Sequence, residues 1–256
     1  MKLHWTQNSI KNHLQRSILL VCCLVCFGWL VSNPGIAQPV EPIMIVSPGD
    51  GSVVTAPIEL TAMVQPGADG LVRVSLFDKQ GGLLARQVMR LSESNSDALE
   101  WTTRLAFEIP VEITPAILVV TTLDQAQRPI AVRTAGLSLK SAGYAKIEPT
   151  DFTGPWLQID QPEPGTVIDT SPLVVRGQVS PINDYPVIFS LVTERGGAIV
   201  ARQLAVETPG EPIDFEIVLP FTPTSTIRNM RLTIRQGSKI NGVYAILDSL
   251  PISIEP

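Results

Sequence analysis

Beyond about residue 40, apolar and polar residues alternate with a period of two, which is the period of β-strands. Ile58, Leu60, Ala62 and Val64 alternate with Glu59, Thr61 and Met63. Val72, Val74 and Leu76 alternate with Arg73, Ser75 and Phe77, and the pattern resumes at Trp101, Thr103, Leu105, Phe107 and Ile109. Further on it returns at Leu173, Val175, Gly177 and Val179, then at Val187, Phe189 and Leu191. Ile213, Phe215, Ile217 and Leu219 follow, then Met230, Leu232 and Ile234, and finally Leu250, Ile252 and Ile254. Such alternation predicts sheets with one buried and one wet face.

The pattern occurs twice. Ile45-Val46-Ser47-Pro48-Gly49-Asp50-Gly51-Ser52-Val53-Val54 matches Ile159-Asp160-Gln161-Pro162-Glu163-Pro164-Gly165-Thr166-Val167-Ile168. Pro57-Ile58 matches Pro172-Leu173, Ser75-Leu76 matches Ser190-Leu191, Gly81-Gly82 matches Gly196-Gly197, and Ala85-Arg86-Gln87 matches Ala201-Arg202-Gln203. A repeat of about 115 residues is too long for a solenoid and predicts two domains. About seven short strands per copy, separated by Pro and Gly turns, predict an all-β protein of two tandem immunoglobulin-like β-sandwiches. The expected boundaries are 41–140 and 155–256. The segment 141–154 lacks alternation and reads as a linker of some stiffness, with Tyr144, Ile147 and Phe152 expected to dock on a neighbouring domain. The two sandwiches are expected to lie in line.

Composition agrees. Apolar residues make up 45% of the chain, and 22 prolines are hard to place inside helices. Residues 1–37 read as a secretory signal peptide. Lys2, Lys11 and Arg16 precede an apolar run of 14 residues from Ile18 to Val31, and small residues stand at Gly35 and Ala37. As a helix that run reaches about 21 Å, short of a bilayer core of about 30 Å, so cleavage before Gln38 is expected in preference to a retained anchor. Removing residues 1–37 removes all three cysteines (Cys22, Cys23, Cys26) and both histidines (His4, His13). It leaves 16 basic and 24 acidic residues, a net charge of −8. Such a chain is a poor partner for nucleic acid or anionic membrane. Without disulfides it must rest on its apolar cores.

The Ile-x-x-Pro-x-x-Gly-x-Val opening, the Ser-Pro strand start and the Gly-Gly hairpin resemble the bacterial immunoglobulin-like domain called Gmad2. The second copy carries the pattern as Ile159, Pro162, Gly165, Val167, Ser171, Pro172, Gly177 and Gly196. The first keeps Ile45, Pro48, Gly51, Val53 and Pro57, with Ala56 where the second has Ser171. The resemblance implies a binding or spacer module facing the cell envelope, as in spore-germination and envelope proteins. It supplies no catalytic residue. Where that family often carries a Glu before the third strand, this chain reads Asn183-Asp184-Tyr185-Pro186.

Candidate chemistry is sparse. With neither His nor Cys after residue 37, the chain cannot build a Ser-His-Asp triad, a Cys nucleophile or an ordinary zinc site. No catalytic residue, metal or cofactor is expected. A carboxylate-dependent glycan hydrolase needs only two acids, and Glu108, Glu112, Asp214 and Glu216 lie on or beside strands. Glu216, however, falls on the polar face of its strand, where a solvated charge is expected. Asp50, Asp160 and Glu163 could face calcium, but they read better as turn formers bonded to local backbone. Trp101 shares parity with Leu105 and Phe107 and is expected in the core, and Trp156 is expected to pack the domain junction. Tyr185 and Tyr244, in predicted loops, are the candidate ligand contacts. Arg228, Arg231 and Arg235 form a basic cluster that softens an exposed strand or docks an acidic partner or wall polymer.

The reading is an exported, non-catalytic binding or spacer protein, in the periplasm or at the cell surface. It would recognise an envelope protein or cell-wall polymer through sandwich loops or an edge strand. A carbohydrate-binding module for wall or extracellular polysaccharide is the alternative.

Overall fold

Each copy of the repeat forms eight strands, one more than the alternation predicts. The computed structural model describes residues 41–256 apart from 68, 92–97, 151–153, 223–228 and 255–256. The expected signal segment, Phe152 and Arg228 therefore lie outside the described residues. No described helix is long and apolar enough to cross a membrane.

In the first copy β1 (Ile43–Ser47), β3 (Ile58–Val64) and β6 (Leu99–Leu105) form one sheet in that order. The facing sheet holds β2 (Ser52–Thr55), β4 (Leu71–Asp78), β5 (Leu83–Arg90), β7 (Ile113–Leu123) and β8 (Pro129–Lys140). Its order is β5-β4-β7-β8, with β2 parallel to the end of β8. The second copy repeats this. β9 (Leu157–Gln161), β11 (Leu173–Val179) and β14 (Ile213–Leu219) form the small sheet, in order β14-β11-β9. β10 (Val167–Ile168), β12 (Val187–Val192), β13 (Ala198–Leu204), β15 (Asn229–Gly237) and β16 (Tyr244–Ile254) form the large one, in order β13-β12-β15-β16 with β10 parallel to β16. The extra strand in each copy is the short β2 or β10. The described residues are thus all-β, with immunoglobulin-like sandwich topology in both copies.

The alternating apolar rows meet between the sheets. Leu60, Leu76, Leu118 and Leu139 are fully buried in the first copy, and Phe189, Leu191, Leu219, Leu232 and Ile234 in the second. Each such side chain contributes about 1.5–3 kcal/mol. Phe189 packs on Phe215 with ring centroids 4.8 Å apart. Trp101 is only half-buried, at the margin of the first core. The repeated Pro-x-x-Gly opening has one geometry in both copies. Gly51 and Gly165 each sit at a φ of 80°, a left-handed turn that glycine takes without strain. The X-Pro bonds at Pro48 and Pro162, and at Pro57 and Pro172, are cis.

One repeated segment is out of structural step. Leu76 lies opposite Ala85, but Leu191 lies opposite Val200. The Ala-Arg-Gln triplets of the two copies are therefore displaced by one residue relative to each other. A one-residue slip reverses the face. Arg86 faces Ser75 on the outer side of its sheet, whereas Arg202 pairs with Phe189 and Ala201 takes the position opposite Ser190.

The two sandwiches are joined side by side, which corrects the expectation that they lie in line. β8 and β16 pair antiparallel through Ala131–Asp248, Val132–Leu247 and Arg133–Ile246, fusing the two large sheets into one of ten strands. Equivalent positions differ by 115 residues here, because Val54 pairs with Leu139 and Ile168 with Ile254. On that offset Val132 is the counterpart of Leu247, and they face each other. The pairing is therefore isologous, about a pseudo-two-fold axis at that pair, as between the subunits of a symmetric dimer. Strand length explains why it forms. β2 and β10 cover only the far ends of β8 and β16, leaving the near halves with unpaired backbone groups that must find partners.

Candidate functional site: the junction and the open sheet edges

Two polar clusters flank the β8–β16 pairing. On the core side, Arg133 lies in a row with Ala131 and Ala135, where an arginine needs compensation to be buried. It forms ion pairs with Glu41 and, at 2.8 Å, with Asp248. Its Nη1 donates to the Leu247 carbonyl at 3.1 Å and to Asp248 Oδ1 at 2.9 Å. Trp156 closes the ring. Its Nε1 donates to Asp248, its backbone N donates to Glu41 Oε1 at 3.0 Å, and its indole lies 5.9 Å from the Arg133 guanidinium carbon. Trp156 thus packs at the junction. One guanidinium thus serves two carboxylates, and the Trp156 indole and backbone N–H supply further donors, so each member of this buried network has a partner.

The electrostatics follow from burial. Desolvation opposes the charge on Arg133, but Asp248 and Glu41 outweigh it and hold its pKa above the ordinary value. Burial raises the Asp248 carboxyl above its ordinary value, against the pull of Arg133 and Trp156. A carboxyl raised in the fold contributes stability that is present below the unfolded pKa and lost as pH rises through the folded one. Unfolding free energy should therefore fall, through Asp248, as pH rises from about 4, the unperturbed carboxyl value. Asp248→Asn should flatten that part of the profile in urea unfolding run at a series of pH values, and an unchanged slope would contradict the assignment.

On the outer face, each copy's last hairpin loop reaches the other copy. Arg128, in the β7–β8 loop, pairs with Asp124 at 2.7 Å and donates to the Thr193 carbonyl at 3.0 Å, in the β12–β13 turn. Ile240, in the β15–β16 loop, is buried and lies beside Gly81, in the β4–β5 turn. Val119, Val132 and Leu247 form a small apolar cluster beneath, with Phe77, Ile117 and Val243 packed against it. These loops are committed to the junction.

The predicted site residues fare differently. Arg231 is only 8% exposed. Its Nε donates to Ser249 Oγ at 2.8 Å, its Nη2 donates to the Ser249 carbonyl at 2.9 Å, and its Nη1 lies 3.9 Å from Asp124. It is a junction residue, which corrects its place in a docking patch. Nor does the cluster soften an exposed strand, because β15 lies between β12 and β16. Arg235 donates to Ser190 Oγ at 2.8 Å, and its guanidinium carbon stands 5.3 Å from the centre of the Tyr244 ring. Arg228 lies outside the described residues. Tyr185, in the β11–β12 loop, is 40% exposed, and Tyr244, the first residue of β16 instead of a loop residue, is 38% exposed. Gln236 draws them to one end of the sandwich by donating to the Tyr185 carbonyl, one residue before Gly237 pairs with Tyr244. With Arg235 against it, the Tyr244 ring does not offer both faces to a sugar.

Four of the acids read from sequence have side-chain partners, and Asp50 bonds a distant strand instead of the local backbone of its turn. Glu216 pairs with Arg176 at 2.8 Å, and Asp214 accepts from Gln178 at 2.9 Å. Asp50 accepts from the Gly136 backbone N at 2.6 Å, tying the β1–β2 turn to β8, and Asp160 accepts from Gln158 at 3.0 Å. Among the described residues no three acids, histidines or cysteines gather as a metal-binding group. The linker is not a platform for docked aromatics either. Tyr144 is 96% exposed and Ile147 is exposed. The chain is held there by backbone bonds between Lys146 and Val53 and by the Thr150 hydroxyl donating to the Ile45 carbonyl at 2.8 Å.

A cleft of about 530 Å³ opens at the junction, with Glu41, Asp50, Arg133, Trp156 and Ile182 in its wall. Its charged groups already serve the network or the turn. At the two ends of the ten-stranded sheet, β5 and β13 have no strand partner on their outer sides among the described residues. Alternation alone could not have placed β5 and β13 at those ends, because strand order depends on pairing between distant segments.

No protein-family model matches the chain, and no curated protein matches its sequence. Among solved structures it is similar to dimeric latent PorU from Porphyromonas gingivalis, at 16% identity and a TM-score of 0.27 over 86% of this chain. The chain spans 21% of the length of that protein. It is also similar to the Salmonella enterica SafA pilin in complex with the SafB chaperone, at 8% identity and a TM-score of 0.28, over 83% of this chain and 97% of that one. The calcium binding domain CBD12 of CALX1.1 gives 9% identity and a TM-score of 0.25, over 84% of this chain and 100% of that one.

Proposed function

We propose that this chain is an exported, non-catalytic binding or spacer protein of the bacterial cell envelope, which meets an envelope protein or cell-wall polymer through a free sheet edge. The observation that carries the reading is the single ten-stranded sheet, which couples the two sandwiches and leaves β5 and β13 without an outer partner among the described residues. With the β7–β8 and β15–β16 loops held at the junction, the edges are the surfaces best placed for a partner. Strand addition to such an edge gives affinity through main-chain hydrogen bonds and specificity through alternate side chains. The signal-like residues 1–37, the absence of His and Cys beyond them, and the resemblance to Gmad2 domains support the same setting.

Co-sedimentation tests it. The purified protein should pellet saturably with isolated cell wall or outer polysaccharide, or else crosslink in intact cells to one envelope protein. No pelleting together with no crosslink would overturn the reading. N-terminal sequencing of the native protein should begin at Gln38.

A further inference from the structure

The chain is acidic, with a net charge of −5, yet the outer face of β4 and β5 carries three arginines without acidic partners among the described residues. Arg104, Arg128, Arg133, Arg176 and Arg231 each face a carboxylate. Among the described residues Arg73, Arg86 and Arg90 do not; Arg195, Arg202 and Arg235 share that lack, but they lie apart, on the β12–β13 turn, on the opposite face of β13 and on the central strand β15. Arg86 has one side-chain partner, the Ser75 hydroxyl at 3.4 Å. Arg73 is half-buried, and burial together with the like charge of Arg86 lowers its pKa.

Register defines the surface. Ser75 pairs with Arg86, Arg73 with Val88, and Leu71 with Arg90. Arg86, Val88 and Arg90 therefore share one face of β5, with Arg73 one strand further in. Val88 is 54% exposed between the two arginines. Along its other side β5 has no strand partner among the described residues, and such an edge is a template for one more strand.

We infer that β5 docks an extended acidic segment of a partner protein, with an acid, an apolar residue and a second acid at alternate positions facing Arg86, Val88 and Arg90. The inference rests on the edge-strand reading above and names the partner's chemistry. Opposite charges directly across a strand pair stabilise it, and like charges destabilise it. That rule disfavours a second copy of this chain at the same edge, since antiparallel β5–β5 pairing centred on Val88 sets Arg86 against Arg90. The rule also separates the two open edges. The one-residue slip in the second copy puts Ala201 and Gln203 on the corresponding face of β13, which therefore carries no row of arginines.

The probe is a blocked, fluorescein-labelled peptide of alternating Thr with Glu, Val and Glu at successive alternate positions. Its control has the same composition with the two acids adjacent. Anisotropy with the purified protein should show saturable binding of the first peptide, weakening as salt rises. Arg86→Glu with Arg90→Glu should lower the affinity by at least about tenfold. Both side chains are exposed, so the fold should persist, and an unchanged thermal transition checks this. Arg86→Lys with Arg90→Lys should retain binding, and Arg202→Glu on β13 should leave it unchanged. Amides of Leu83–Arg90 should gain protection from hydrogen exchange in the complex. Equal binding of the control peptide, no effect of the double charge reversal, or preference for an acidic polysaccharide such as polygalacturonate over both peptides would each overturn the inference. If the peptide fails while the protein still pellets with wall or crosslinks, this inference falls and the broader binding reading stands. Failure of both removes both.

Discussion

Arg133→Ala should be the most damaging single substitution at the junction, lowering unfolding free energy by about 3–5 kcal/mol. Arg133 holds Glu41 and Asp248 together, and both acids are largely shielded from water. Removing it leaves two carboxylates facing each other with the Trp156 indole and backbone N–H as their remaining donors. Most of the loss is the penalty of that uncompensated charge and not the worth of the ion pair itself. Arg133→Met combined with Asp248→Leu and Glu41→Gln removes the charge and both its partners together, and should recover a large part of the lost stability. Urea unfolding measures both variants. The β8–β16 pairing spans only three residue pairs, so amides of Val132 and Leu247 should exchange faster in Arg133→Ala than in the parent. A loss below about 1 kcal/mol would mean that the ring is solvated and the ten-stranded sheet is held by its backbone alone.

Gly177→Ala should cost about 3 kcal/mol, far more than a single methyl usually does in a strand. Gly177 lies in β11 opposite Ile159, with φ at 158°, and a Cβ there would overlap the carbonyl oxygen of Gln158. The obstacle is backbone and cannot swing away, so β9 must separate from β11. The register already shifts between Arg176 and Gly177, and glycine is the residue that lets a neighbouring backbone approach this closely. The first copy supplies the comparison. Its equivalent is Ala62, fully buried and paired with Ile45. Ala62→Gly should cost only about 1 kcal/mol, from added chain entropy and a lost methyl contact. Thermal unfolding of the two variants side by side tests the claim, and equal losses would refute it.

The sequence alone determined the class of fold and most of its strands. Period-two rows such as Leu173, Val175, Gly177 and Val179 leave one buried face whichever partner the strand takes, so local pattern sufficed. Turns were equally legible, because Gly51 and Gly165 answer a local backbone demand. The tertiary structure decided what depends on which distant strands meet. Arg231 and Arg235 share parity in the sequence, yet pairing with β12 and β16 buried one against Ser249 and set the other against Tyr244. Arg133 sits in an apolar row and gave no signal of its own. Its role appears only when Glu41, Asp248 and Trp156, separated by 92 to 115 positions from their partners, converge on it. The matching Ala-Arg-Gln triplets looked equivalent in sequence. A one-residue difference in hairpin register turned Arg86 outward beside Arg73 and sent Arg202 to the opposite face. Side-chain direction in a strand reverses at every residue, so the chemistry of an edge is fixed by register, and register is set by cross-strand pairing that no linear pattern records.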